Sequence, residues 1–98
     1  MDVYINLRKR DKCVLLAICD VDILGKTLKQ GKIVFHIREE FYKGSLVSLE
    51  EAIGLIQQST IVNMVGRKVV GRALEEGLVH PDAVLEIKGI PHAQIVKL

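Results

Sequence analysis

The sequence is poor in aromatic residues, with two Phe, two Tyr and no Trp among its 98 residues. Any hydrophobic core must therefore be mainly aliphatic, because apolar residues still make up 49% of the chain. Long apolar runs are missing too: the longest is Cys13 to Cys19, whereas a membrane helix needs ~20 such residues. The N-terminus has no basic stretch followed by an apolar one, as a signal peptide would have. The sequence therefore predicts neither a membrane partner nor secretion.

Only two cysteines are present, Cys13 and Cys19, and both lie in one strand-like segment. Residues six apart on a strand point to the same face and lie roughly 20 Å apart at ~3.3 Å per residue. A disulfide needs Cα atoms within ~7 Å, so these two thiols cannot pair within that strand. Free thiols indicate a reducing compartment, and we expect a cytoplasmic protein.

An excess of charge of either sign is also lacking, since the net charge is +2. A dedicated nucleic-acid-binding domain is usually more basic. The charge therefore permits RNA or DNA as a partner without arguing for it. The length predicts one domain, residues 1–98, because domains cluster near ~100–150 residues.

Period-two alternation and apolar runs predict the strands. The run from Cys13 to Cys19 is apolar at every position, which is typical of a central strand covered on both faces. Residues 20–31 form a connection with a short helical turn, and residues 41–44 form a tight turn. Five strands are expected in all, at residues 3–7, 13–19, 33–38, 84–88 and 93–98.

Two helices are predicted. The first begins at Ser48, where Ser48 and Glu51 form a capping box. The second begins at Ser59 or Thr60 and ends at Gly77, a left-handed C-cap. Its apolar face at 100° per residue consists of Val62, Val65, Gly66, Val69 and Ala73.

The resulting order β-β-β-α-α-β-β predicts the α+β class: a mostly antiparallel sheet of about five strands with two helices packed on one face. The opposite face of the central strand also needs a cover. Either a connection such as residues 20–31 supplies it or a second subunit does, so a homodimer is one expectation.

Candidate functional side chains are few. Cys19 and Asp20 close the central strand, where a thiol beside a carboxylate is either a nucleophile with its neighbour or a buried cysteine followed by a turn. His92 and Gln94 follow a turn stiffened by proline, which would orient their hydrogen-bonding groups. Asn63, at the edge of the apolar stripe of the second predicted helix, completes a candidate site.

Basic residues form two clusters that would bind phosphate if the fold brings them together, and that are otherwise solvated surface. With four aromatic residues in the chain, base stacking is not expected. No Cys-x-x-Cys or His-x-x-x-His spacing occurs, so neither a metal nor a cofactor is predicted. The candidate phosphate-binding residues are Arg8, Lys9, Arg10, Arg67, Lys68 and Arg72.

Several short stretches resemble, in series and over nearly the whole chain, the archaeal family catalogued as domain of unknown function 424. They are Cys19-Asp20, Leu24-Gly25-Lys26, Phe41-Tyr42-Lys43-Gly44, Asn63-Met64-Val65-Gly66 and Gly89-Ile90-Pro91-His92-Ala93-Gln94. The resemblance implies an archaeal source and a cytosolic protein. It carries over no activity, only an association with translation through neighbouring genes.

Three functions compete. The leading hypothesis is a small accessory binding protein of archaeal translation or RNA metabolism, with RNA or a translation-associated protein as its partner. The alternative is a small enzyme in which Cys19 is the nucleophile, His92 the base and Asn63 the orienting group. A third is a subunit whose uncovered sheet face docks onto another protein. A binding role is favoured over a purely structural one, because the motif residues are mostly glycines and polar residues near element ends.

Overall fold

The computed structural model describes residues 2–97 and confirms the α+β class. Two 3-10 turns, Val21–Ile23 and Pro81–Ala83, join the longer elements. The strands and helices in chain order are β1 (Val3–Arg10), β2 (Cys13–Asp20), β3 (Thr27–Gln30), β4 (Ile33–His36), α1 (Glu39–Tyr42), β5 (Ser45–Val47), α2 (Leu49–Ile56), β6 (Ile61–Val65), α3 (Arg67–Glu75), β7 (Leu85–Ile87) and β8 (Ile90–Val96).

Six of the strands form one sheet in the order β5-β1-β2-β6-β8-β7. Neighbours run antiparallel except β2 and β6, which are parallel. The apolar strand β2 lies inside the sheet, as its sequence predicts. The predicted third strand is not part of this sheet, because β4 pairs with β3 in a separate two-stranded hairpin.

The predicted start of the second helix is wrong. Residues Ile61–Val65 form strand β6, and helix α3 begins only at Arg67. The segment Ile-Val-Asn-Met-Val is rich in β-branched residues, which favour strands, and it pairs with β2 along its whole length. The predicted end is confirmed: Gly77 has φ 70°, and Leu78 N–H donates to the Ala73 carbonyl at 2.9 Å.

Two further local predictions have different outcomes. The capping box is confirmed, because Glu51 N–H donates to Ser48 Oγ at 3.1 Å at the start of α2. The tight turn predicted at residues 41–44 is wrong in part, because Phe41 and Tyr42 belong to the one-turn helix α1. Gly44 follows it and passes so close to the Ile5 carbonyl that a Cβ would overlap it.

Helices α2 and α3 pack on one face of the sheet, here called the helix face, as predicted. The core between these two helices and the sheet is aliphatic, in keeping with the composition. Its fully buried members are Val3, Leu16, Ile18, Ala52, Ile56, Val62, Met64, Val69, Val70 and Ala73.

The opposite face, here called the hairpin face, is covered by residues 21–43, which include the β3–β4 hairpin and α1. The expectation that residues 20–31 supply this cover is confirmed in part: Ile23 and Leu28 belong to it, but β4 and α1 extend it to residue 43. Helix α1 lies over β1 and β2, while the hairpin reaches β7, where Lys88 N–H donates to Gln30 Oε1 at 2.8 Å. The second core that this forms contains Ala17, Cys19, Ile23, Ile37, Tyr42 and Val65.

Asp20 and Gly66 join the sheet to helix α3. The buried Asp20 carboxylate accepts hydrogen bonds from Lys68 N–H at 2.8 Å and Val69 N–H at 3.1 Å, two of the amides that a helix start leaves unpaired. Gly66, at the N-cap position, has φ 125° and ψ 152°, a region open essentially to glycine alone. A Cβ there would also overlap the Asp20 carboxyl group.

Among residues 2–97, no helix has both the length and the apolar character needed to cross a membrane.

We expect Gly66→Ala to lower the free energy of unfolding by about 3 kcal/mol, through backbone strain and displacement of Asp20 from the helix start. Gly71→Ala is the matched control, since Gly71 lies within α3 with open space around its Cα. The control should raise stability by about 0.5–1 kcal/mol. Urea denaturation measures both changes. Equal stabilities for Gly66→Ala and the unmodified chain would contradict the role given to Gly66.

Candidate functional site

A cavity of about 440 Å³ opens to solvent on the hairpin face. Its floor is formed by β6 and β8, and its walls by β4, α1 and the segment before β7. The lining residues are Phe35, His36, Arg38, Phe41, Tyr42, Asn63, Met64, Ala83, Leu85, His92, Ala93 and Gln94.

Three of the five predicted site residues line this cavity. Asn63 and Gln94 are direct partners across the β6–β8 pair, and His92 is the partner of Val65. Because successive side chains alternate between faces, Asn63, His92 and Gln94 all point to the hairpin face. Strand pairing thus brings together residues that lie some thirty positions apart in the sequence.

The aromatic residues are concentrated here. Phe35, Phe41 and Tyr42 line the cavity, which leaves Tyr4 as the one aromatic residue of the chain outside it. The rings of Phe35 and His92 meet edge to face with centroids 4.4 Å apart, and those of Phe41 and Tyr42 do so at 4.8 Å. The small number of aromatic residues in the sequence is an argument against base stacking. Because three of the four aromatic residues line one cavity, their small number no longer argues against stacking at that site.

The environment of His92 disfavours its protonated form. Burial lowers the pKa of His92 below its ordinary value, because the charged form loses hydration. Its Nε2 atom is buried and has no hydrogen-bond partner among residues 2–97. A buried polar atom without a partner costs about 1–3 kcal/mol, so a ligand that bonds to it would regain that energy.

Cys19 is outside this cavity and is chemically protected. Its thiol is fully buried and donates to the Asp20 carbonyl at 3.2 Å. Burial, and secondarily the Asp20 charge, raises the pKa of Cys19 to about 12, so the thiolate is scarce near neutral pH. Val65 lies between Cys19 and His92 in the strand order, which separates their backbones by about 10 Å. The Cys/His/Asn arrangement of the enzyme hypothesis is not assembled.

Asp20 is equally remote from the cavity, because its carboxylate is used at the start of α3. Burial raises the pKa of Asp20, while the hydrogen bonds from the Lys68 and Val69 amides oppose that rise. The carboxylate therefore has a structural task. Of the five predicted site residues, Asp20 therefore caps α3 and Cys19 is a core residue, whereas Asn63, His92 and Gln94 line the cavity.

The first basic cluster lies on the same face as the cavity. A groove at the β1–β2 turn is lined by Arg8, Arg10 and Lys12, with Asp11 as its acidic member. Lys9 alternates to the helix face and does not line the groove. Lys12 also lines the groove, because it lies in the turn after Arg10. It is not among the predicted phosphate-binding residues.

Arg8 connects the groove to the cavity. Its guanidinium carbon lies 5.0 Å from the centroid of the Phe41 ring, and Nη2 donates to the Glu40 carbonyl at 2.9 Å. Arg8 Nη1 is buried without a hydrogen-bond partner in the described part of the chain. Phe41 lines the cavity and Arg8 lines the groove, so the two form one continuous surface.

The second basic cluster is elsewhere. Arg67, Lys68 and Arg72 lie on α3, which packs on the helix face. Helix α3 begins beside Asp20, at the opposite end of β2 from Cys13, the partner of Arg10. Strand β2 puts about 23 Å between those ends at ~3.3 Å per residue. Arg72 is also paired, with Glu50 Oε1 at 2.8 Å. The two clusters therefore do not form one surface.

Sequence reasoning missed Phe35, His36 and Arg38 as cavity residues. The alternation of residues 33–38 marks a strand, but its place over β8 depends on how the hairpin folds back.

No group of three or more possible metal ligands occurs among residues 2–97.

Comparisons with known proteins add a family and a fold relative. The model of a family described as "Protein of unknown function (DUF424)" matches residues 7–98. A crystal structure of an uncharacterized conserved protein from Methanopyrus kandleri superposes with a TM-score of 0.81 at 29% sequence identity, over 97% of this chain and 90% of that one. No curated protein matches the chain.

We expect iodoacetamide to alkylate the exposed Cys13 of the folded protein and to leave Cys19 unmodified across pH 6 to 9, because thiolate is the reactive form. The Cys13→Ser variant isolates the second thiol. Mass spectrometry should find it unlabelled under native conditions and fully labelled in concentrated guanidinium chloride. Rapid native labelling of that variant would restore Cys19 as a candidate nucleophile.

Proposed function

Since the chain belongs to the DUF424 family of proteins of unknown function, we propose from its own geometry that it is a small accessory protein that binds single-stranded RNA on its hairpin face. The observation that carries this proposal is the continuity of an aromatic cavity with a basic groove. Single-stranded nucleic acids are held by this combination, in which rings accept bases and a basic track follows the backbone.

The cavity supplies the contacts for a base. Its walls include Phe35, Phe41 and Tyr42, and its floor carries the carboxamides of Asn63 and Gln94. Bases in a duplex are stacked and paired, whereas the bases of a single strand can be turned out and bonded along their edges. The proposed ligand is therefore an unpaired segment.

The groove supplies the contacts for phosphates. Leu15, which lines it beside Arg8, lies two residues before Ala17, the strand partner of Asn63. Two residues of strand span about 7 Å and the two strand spacings from β6 to β1 about 10 Å, so Asn63 and Arg8 lie about 12 Å apart. A chain that places one base in the cavity therefore brings a nearby part of its backbone to the groove. The groove offers three basic side chains, Arg8, Arg10 and Lys12, so the salt dependence of binding should be that of about three phosphate contacts.

The cellular setting is part of the proposal. The Methanopyrus kandleri relative supports an archaeal source, and the two free thiols support a reducing cytoplasm. Within that setting, a role in translation or RNA metabolism follows from the RNA ligand and from the resemblance.

We propose as the alternative that the same face docks a protein, either a translation-associated partner or a second copy of this chain. Leu85 and Val96 favour it, because they are 58% and 54% exposed on the hairpin face. Sedimentation velocity distinguishes a homodimer: its sedimentation coefficient would rise with protein concentration in the absence of RNA.

The test of RNA binding is a titration of mixed-sequence, fluorescently labelled single-stranded RNA with nuclease-treated protein at rising salt. The logarithm of the affinity should fall linearly with the logarithm of the salt concentration, because phosphate contacts release counterions. Arg10→Gln should make the slope shallower by about 0.7, the loss of one phosphate contact on a single strand.

Lys9→Gln is the matched control, since it removes the same charge one residue away on the opposite face of β1. Its slope should be steeper than that of Arg10→Gln and close to that of the unmodified chain. Equal effects of the two substitutions would show binding by net charge alone. No binding at low salt would overturn the RNA proposal and leave the docking alternative.

A further inference from the structure

We propose that the cavity reads one unpaired adenine, with Asn63 and Gln94 bonded to the edge of the base and Arg38 facing its phosphate. This inference rests on the proposed RNA-binding function and narrows it to a base. The shared chemistry is an adenosine monophosphate unit, which either an RNA strand or a free nucleotide supplies.

The floor of the cavity is built for a flat edge that offers a donor beside an acceptor. Each carboxamide presents one C=O acceptor and one NH2 donor in a single plane. Asn63 and Gln94 are direct cross-strand partners, so their Cβ atoms lie about 4.5–5.5 Å apart. His92, two residues before Gln94 on the same face of β8, adds a third polar side chain to the lining, and its Nε2 is buried without a partner within residues 2–97.

Other ligand classes fit this lining less well. An apolar ligand would cover the carboxamides of Asn63 and Gln94 and leave them without partners. A metal cation would find no carboxylate, because no Asp or Glu lines the cavity. A simple anion would contact Arg38 and His36 at the rim and would make no use of the aromatic side chains in the walls. A heteroaromatic ring would contact the aromatic walls and form hydrogen bonds to the floor.

The choice among bases follows from the side chains that reach the floor. In the major groove of a duplex, Asn and Gln form bidentate pairs with N6 and N7 of adenine, whereas cytosine is read by Asp or Glu and guanine by Arg or Lys. The same N6–N7 edge is open in an unpaired adenine, and it is the edge that we propose the two carboxamides bind. The floor has the amides and no acid. Arg38 is exposed at the rim, where it suits a phosphate. A volume of about 440 Å³ is in the range of small-molecule sites, about 300–1,000 Å³.

The experiment compares labelled oligoadenylate with oligouridylate and oligocytidylate of equal length, and adds free AMP as a separate arm. Oligoadenylate should bind about tenfold more tightly than the other two, the discrimination of one good bidentate pair. NMR spectra of ¹⁵N-labelled protein should show the side-chain NH2 signals of Asn63 and Gln94 shifting as AMP or oligoadenylate is added.

Gln94→Glu is the decisive variant, because Gln94 is solvent-exposed and the change keeps the shape while removing the donor. It should abolish the preference for oligoadenylate. Gln58→Glu is its control, since Gln58 is an exposed residue after α2 and undergoes the same change of charge. The control should keep the preference.

The outcomes separate this inference from the function on which it rests. Equal, salt-dependent binding of all three oligonucleotides would overturn the adenine pocket and leave RNA binding standing. AMP binding that shifts the Asn63 and Gln94 signals, without RNA binding, would support the pocket and identify a free nucleotide as the source. A preference that survives Gln94→Glu, or no binding in any arm, would overturn the inference.

Discussion

The hydrogen bonds from the start of α3 to the Asp20 carboxylate organise the rest of this fold. Asp20 ends the strand that leads the chain onto the hairpin face, and α3 follows the strand that leads it onto the helix face. One buried carboxyl group therefore fixes the end of β2 against the end of β6. Burial of that group is tolerated because two amides of the helix bond to it, and Gly66 leaves the space it occupies.

The hairpin face is covered over only part of its area, and the cavity exists because the cover is incomplete. Helix α1 and the β3–β4 hairpin close one end of the face over Cys19 and Val65, whereas Gln94 and Val96 near the other end are exposed. The cavity lies where the cover stops. A sheet covered on both faces throughout would be more apolar and would have no place for Asn63 among its inward-facing residues.

The sequence predicts features that depend on neighbouring residues better than features that depend on contacts between distant residues. The capping box at Ser48, the C-cap at Gly77 and the central strand β2 each depend on neighbouring residues, and each is confirmed. The apolar positions of Ile61–Val65 fit a helical face as well as a strand, so the sequence pattern predicts a helix there; only the pairing with β2 decides for the strand. The cavity depends on long-range strand pairing as well. The sequence therefore identifies Asn63 and His92 as candidate residues but does not predict that they line one cavity.

The parallel pairing of β2 with β6 has a consequence for how the molecule folds. Val14 N–H donates to Thr60 Oγ1, 46 residues later in the chain, so the central pair forms only after a long loop has closed. The entropy of that closure slows folding, whereas the β1–β2 hairpin needs only a tight turn. Because the cavity takes part of its floor from β6 and its walls from the loop, it is complete only once that loop has closed. Partly folded chains that have formed only the β1–β2 hairpin would therefore lack the cavity altogether.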